Sequence, residues 1–182
     1  IGANVRRIDH FTYLVAKHQY AKEKEFWQGM GLKNPDEVRI EDHIPPIGGL
    51  WTTANLSHDI AIFSDPNLEP GQGIANHICY NLDSREEVLL ALDYFTEKGY
   101  KSVWGAPTRH KADEGFFFYI MEPYTGILLE VYACARLIFA PDHGPDVHYL
   151  KDNPNDAWGL TNPFEEMAKG KIGGLETQPI DI

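Results

Sequence analysis

The chain has 182 residues, 43% of them hydrophobic and 12% aromatic, with 16 basic and 27 acidic residues for a formal charge of −11. That length suits one domain, or two small fused modules, and buries a core without disulfides; the negative surface repels phosphate backbones and anionic lipid heads, which argues against nucleic acid and membrane as partners. No apolar run reaches the ~20 residues of a spanning helix, and Cys79 and Cys134, each in an apolar stretch, read as reduced core thiols of a cytoplasmic protein, not as a disulfide framework.

Residues 6–16 alternate and are rich in β-formers, which predicts a strand. Residues 19–30 set Tyr20, Phe26, Trp27 and Met30 among Lys and Glu, a helical spacing that Gly31 stops. Three short strands are expected at 36–43, 49–55 and 56–63, followed by a connector of turn formers at 65–73. The order then recurs. A strand at 74–82 leads to a helix opened by Asp83 and Ser84, with Glu86 and Glu87 against its positive end and Lys98-Gly99 as its stop. Strands near 101–105, 115–121 and 127–133 complete the second half.

Each half therefore reads β-α-β-β-β, one module over about 5–64 and one over about 73–133, alike in order but not in sequence. Residues 135–182 differ, with five prolines, five glycines and little periodicity. Phe139, Tyr149, Trp158 and Phe164 are costly to leave in water. This tail, 134–182, is expected to wrap the domain or cover the site, within a single catalytic domain of residues 1–182.

Three polar residues stand where the pattern asks for core. His10 and His77 lie mid-strand at corresponding places of the two modules, and Glu130 lies in the apolar run Leu-Leu-Glu-Val-Tyr. Each alone has an ordinary reading: a hydrogen-bonded strand histidine, or a glutamate paired with an arginine. Together they suggest a divalent cation, which resolves the cost of burying a carboxylate. Two imidazoles and one carboxylate leave octahedral positions open, the arrangement of mononuclear Fe(II) oxygenases.

Several pieces of the chain carry a family resemblance. They are Arg-Ile-Asp-His-Phe (7–11), Ser-His-Asp-Ile-Ala (57–61), Asn-His-Ile (76–78), Arg-His (109–110), Phe-Tyr-Ile-Met-Glu-Pro (118–123) and Gly-Ile-Leu-Leu-Glu-Val-Tyr (126–132). Over about residues 6–133 the sequence resembles the catalytic domain of type I extradiol ring-cleaving dioxygenases of the vicinal oxygen chelate superfamily. The resemblance implies an α+β fold of paired βαβββ modules, with Fe(II), or Mn(II), held by His10, His77 and Glu130. It implies O2-dependent cleavage of a catecholic ring beside its diol, in the degradation of aromatic compounds.

The resemblance further implies roles outside the metal set. His58 matches a histidine beside O2 that manages protons. His110 matches a donor near a substrate oxygen, and Tyr119 a tyrosine on the substrate hydroxyl. Trp51 is expected near the substrate ring, Phe116 and Phe118 as aromatic walls, and Arg109 in anion balance or packing. His18 and His43 read as structural or solvated, while His143 and His148 could approach the site mouth. Members of the family commonly carry another module pair ahead of this one, so a minimal or a processed enzyme is expected, with a homo-oligomer covering exposed sheet. The rival readings are a glyoxalase-like isomerase or fosfomycin thiol transferase, and a metal-free small-molecule binding module. The set His58, His110 and Tyr119 favours ring cleavage.

Overall fold

The computed structural model describes residues 2–140 and 142–159. The first module is β1 (Arg7–Ala16), α1 (Tyr20–Gly29), β2 (Lys33–Arg39), β3 (Gly48–Thr52) and β4 (Ile60–Asp65). The second is β5 (Gly73–Asn81), α2 (Arg85–Glu97), β6 (Val103–Arg109), β7 (Phe116–Met121) and β8 (Leu128–Ala133). Both contribute to one mixed sheet in the order β6-β7-β8-β5-β1-β4-β3-β2-β9, with β9 (Asp146–Tyr149) at the edge. At the centre β1 and β5 run antiparallel, while β4 lies parallel to β1 and β8 parallel to β5. This is the expected α+β arrangement of paired βαβββ modules.

The local signals explain most elements. Ser84 caps α2 by accepting from Glu87 N at 3.2 Å, with Glu86 and Glu87 in the first turn. Val88 and Ala91 of α2 then bury against Phe116, Phe118, Ile120 and Val131. Tyr20 of α1 packs with Val15, Trp51 and Ile62. The intervening strand residues point the other way, so Phe117, Tyr119, Leu128 and Tyr132 form a separate cluster with Cys79.

Three strand boundaries differ from the sequence expectation. The predicted 49–55 and 56–63 strands are parted by a turn over residues 53–59, closed by Asp59 accepting from Thr53 N at 2.7 Å and from Thr53 Oγ1 at 2.9 Å. The strand placed at 36–43 starts at Lys33, and the one near 101–105 runs on to Arg109.

The tail supplies the missed strand. Asp-Val-His-Tyr pairs parallel with β2, Asp36 opposite Asp146, because Arg136 reaches both Asp36 (2.6 Å) and Asp146 (2.8 Å). Past β9 the chain crosses the mouth of the β6–β7 hairpin: Thr108 Oγ1 donates to Asp156, and the Trp158 ring lies 5.6 Å from Phe116. As far as it is described, the tail pairs with β2 through β9 and meets β6 and β7 through Asp156 and Trp158; Phe164 and the rest of 160–182 lie outside the described residues. Phe139 and Trp158 depart from expectation and stay 75% and 52% exposed. No helix among the described residues is long and apolar enough to cross a membrane.

Candidate metal centre

Both candidate histidines come from the β1–β5 seam. The register slips between Ile8 and Phe11, and again between Thr12 and Tyr13. The first slip puts an extra residue into β1 at Asp9–His10, the second an extra residue into β5 at Asn76. Bulges re-aim side chains, and each here lets a histidine contact the polar residue before it. Asp9 Oδ1 stands 3.1 Å from His10 Nδ1, and Asn76 Oδ1 stands 2.7 Å from His77 Nδ1. An oxygen acceptor at Nδ1 keeps the proton there and leaves the Nε2 lone pair for a metal.

Glu130 arrives from β8, between Cys79 of β5 and Tyr119 of β7. Its Oε2 is 3.0 Å from His10 Nε2 and 3.2 Å from His77 Nε2, and the two nitrogens are 3.2 Å apart. All three residues are buried. Even so, Glu130 Oε2 has no hydrogen-bond partner among the described residues. The two Nε2 atoms contact each other, and His77 Nε2 also meets Thr12 Oγ1 at 2.8 Å, so it is the Glu130 oxygen that is left bare between them. Leaving a carboxylate so placed costs several kcal/mol. An ion with three mutually perpendicular bonds would fit a triangle of this size at about 2.2 Å, close to ordinary metal–nitrogen and metal–oxygen lengths. His10, His77 and Glu130 are a group that could hold a metal ion. Asp9, His10 and Cys79 also cluster, but burial pushes the Cys79 thiol well up, which makes it a poor thiolate ligand.

The electrostatics follow from four imidazoles set among the carboxylates of Glu130, Asp9 and Asp113. Burial pulls His10 down, but Asp9 and Glu130 outweigh it and hold it up at about 9, so proton and cation compete for its Nε2. Burial lowers His77, and keeps His58 well below its usual value with the help of the neighbouring His10 charge. Burial would raise Glu130, yet the His77 charge and contacts from His10 and His110 hold it well below the carboxylate range. The Tyr119 phenol is pushed well up by burial and by Glu130.

The other expected residues gather around the same point. His58 precedes β4; its ring centroid lies 3.9 Å from that of His10, and its Nδ1 is 3.0 Å from Ser57 Oγ. His110 follows β6, stacks on Phe117 at 3.7 Å, sets Nε2 3.3 Å from Glu130 Oε1 and donates from Nδ1 to the Asn155 carbonyl at 2.8 Å. The Tyr119 ring lies 5.2 Å from that of His77. These residues line one pocket with the metal set, and Pro154 and Asn155 of the tail close part of it.

Some expectations are corrected. Trp51 is fully buried against α1 with Tyr20 and Ile62, away from the pocket; its neighbour Leu50 faces the pocket instead. Phe116 and Phe118 face α2, and Phe117 and Tyr119 take the site side, a shift of one residue. Arg109 does not line the pocket, and its carbonyl accepts from Ala157 N at 2.7 Å. His143 and His148 do not line the pocket either; His148 meets the pocket residue Asp36 at 2.7 Å, and His143 meets Asp146. The sequence reading overlooked Asp9, Asn76, Thr12, Asp36, Asp113 and Asn155. Only the first two left a signal, as the polar residue before each candidate histidine.

Residues 7–131 match the model of the Glyoxalase/Bleomycin resistance protein/Dioxygenase superfamily, and the chain belongs to that superfamily. It is 32% identical over 148 residues to a manganese-dependent 2,3-dihydroxybiphenyl 1,2-dioxygenase of Geobacillus genomosp. 3, a match covering 79% of this chain and 44% of that protein. It is 28% identical over 166 residues to a metapyrocatechase of Geobacillus stearothermophilus, covering 86% and 47%. The chain therefore spans a little under half the length of these curated relatives. The fold is shared with homoprotocatechuate 2,3-dioxygenase of Brevibacterium fuscum (TM-score 0.73, 18% identity, 85% of this chain and 46% of that one). It is shared as well with the 2,3-dioxygenase LapB of Pseudomonas sp. KL28 (TM-score 0.72, 24% identity, 83% and 50%).

Proposed function

We propose that residues 1–182 act as the catalytic domain of an extradiol dioxygenase, which opens a catecholic ring beside its diol with O2 in the breakdown of aromatic compounds. Its Fe(II) or Mn(II) would be held by His10, His77 and Glu130. The observation that carries this is the convergence of two Nε2 atoms and one carboxylate oxygen in the pocket that also holds His58, His110 and Tyr119. Manganese in the name of one relative supports Mn(II) as an alternative to Fe(II). Bound there, the ion supplies Lewis acidity toward adjacent hydroxyls and a route for electrons from ring to O2.

The chain's own groups do the remaining work. His110 and Tyr119 both reach Glu130, so their polar atoms border the place where a diol oxygen would lie. Tyr119, kept protonated, donates to that oxygen, and His110 orients it from a ring fixed by Phe117 and the Asn155 carbonyl. His58, kept neutral by burial, is free to take a proton as a base and return it as an acid. Leu50, Ala61 and Phe63 exclude water from the ring position. Cys79 is buried as expected of a core thiol, whereas Cys134 is exposed; both are unpaired, which fits a reducing, cytoplasmic setting. Exposed Ile8 and Phe11 on β1 fit a homo-oligomer.

The test is direct. Protein loaded anaerobically with Fe(II) or Mn(II) should retain one ion per chain and turn catechol yellow in air, as the ring-opened semialdehyde forms. A chain that keeps no metal, or that gives no colour with any catechol, would be an isomerase, a transferase or a binding module instead. His58→Phe should keep its metal and lose ring opening by about 10²–10⁴-fold; full activity in that variant rejects the acid–base role.

A further inference from the structure

The pocket extends from the proposed ligands across the first module, where Leu14, Val38, Leu50, Ala61 and Phe63 make an apolar wall. Asp36 interrupts that wall and is fully buried. Its Oδ1 is engaged: Arg136 Nη2 donates to it at 2.6 Å, and His148 Nε2 stands at 2.7 Å. Its Oδ2 is buried with no hydrogen-bond partner among the described residues. A carboxylate oxygen is a strong acceptor, and one left bare beside a pocket is stabilised by any donor that a ligand brings.

The rest of the lining holds four histidines, all gathered at the candidate metal centre. Asp113 and Glu130 face the pocket as well, and no lysine or arginine belongs to its described lining. Arg136 approaches Asp36 without lining the pocket, and is tied to Asp146 of β9 at 2.8 Å. Beyond the candidate centre, a ring substituent carrying a carboxylate would therefore meet the Asp36 carboxylate in a poorly solvated space with no lysine or arginine lining it. An ammonium or hydroxyl would meet Oδ2.

We infer that Asp36 selects the substrate, favouring catechols whose ring substituent carries a hydrogen-bond donor, an amine or a hydroxyl, and rejecting those whose substituent is a carboxylate. This rests on the catechol reading given above. The fold does not set the choice, since a structural neighbour is complexed with 3,4-dihydroxyphenylacetate, an acid. Residues of the tail hold Asp36 in place, so the tail takes part in selection.

The experiment uses the full chain loaded with Mn(II) and three catechols of similar size: 4-ethylcatechol, 4-(2-aminoethyl)catechol and 3,4-dihydroxyphenylacetate. Calorimetry without oxygen gives Kd, and rates of colour formation in air follow separately. The amine is expected to bind about tenfold tighter than the ethyl compound, and the acid about tenfold weaker, each the size of one charge-assisted contact. In Asp36→Asn the amine should fall to within about twofold of 4-ethylcatechol measured on the same variant. Equal binding of all three by the parent protein, tighter binding of the acid, or an unchanged preference in Asp36→Asn overturns the assignment. If that variant does not fold, the parent's ranking still decides. The expected ranking without ring opening of any catechol would reject the dioxygenase reading and leave the Asp36 assignment standing. Ring opening of all three with equal Kd would do the reverse.

Discussion

Asp9 and Asn76 occupy the same place in their modules but differ in charge, and that difference falls on the two proposed ligands. Asp9 is a nearly buried carboxylate, held by Arg7 at 2.5 Å, and it contacts His10 Nδ1. Asn76 offers His77 only a neutral amide oxygen. A carboxylate behind an imidazole orients the ring and raises its basicity as a ligand. Asp9→Asn is therefore expected to weaken metal binding by about 10–100-fold with the fold intact, as read by competition with a metal-chelating dye; unchanged affinity would reduce Asp9 to a packing residue. At this scale the sequence was informative wherever chemistry broke pattern. His10, His77 and Glu130 stood out as polar groups inside apolar strands. Trp51, Phe116 and Phe118 gave no such contrast, because in a run like Phe-Phe-Phe-Tyr the alternation that tells one face from the other is invisible. Asp36 was hidden differently: it opens the strand expected at 36–43, and its partners Arg136 and His148 are 100 and 112 residues away in sequence.

At the scale of elements, β7 and β8 carry one wall of the site, and their spacing depends on Gly115. A Cβ there would lie 1.8 Å from the Tyr132 ring. Tyr132 in turn sets its ring edge-on to His10 at 5.5 Å. Gly115→Ala should cost about 1–3 kcal/mol through overpacking, and should also weaken metal retention because Tyr132 is driven toward His10. Thermal unfolding with and without metal separates the two effects; a loss of stability with metal affinity unaltered would mean that Tyr132 moves elsewhere. Helix α2 was legible because its cap, acidic first turn and apolar face agree. Strand β9 was not. Four residues between prolines carry too little alternation to register, and the strand is specified by ion pairs to β2 across the fold.

For the molecule as a whole, the order of elements was legible as a repeat, while its closure into one sheet was not, since pairing at the seam depends on two bulges. The joined sheet also buries charge away from the site. Glu37 on β2 is 2% exposed and pairs with Lys24 and with Arg39 at 3.0 Å. Burial alone would raise its carboxyl, but those two cations bring it below 4.5. A depressed carboxylate stabilises the folded chain above its unfolded value, and that contribution fades as pH falls through the folded one. The Tm difference between the parent protein and Glu37→Gln should hold steady down to about pH 4.5 and shrink below it; a difference independent of pH would show that the pair adds nothing.

The two modules are related by an approximate two-fold axis at the seam, and the candidate metal centre breaks it. Two residues beyond His10 stands Thr12, paired with Ala61, and two beyond His77 stands Cys79, paired with Glu130. Ala61 is thus the symmetry mate of Glu130, and it lines the same pocket. A carboxylate at both positions would enclose an ion between two matched His–Glu pairs. The methyl group leaves one side of the centre to small molecules. Ala61→Glu should hold metal more tightly while losing catechol binding, measured by metal competition and anaerobic calorimetry; intact catechol binding would place the substrate elsewhere. On this view the reactive side of the centre is set by where the duplication failed to repeat itself.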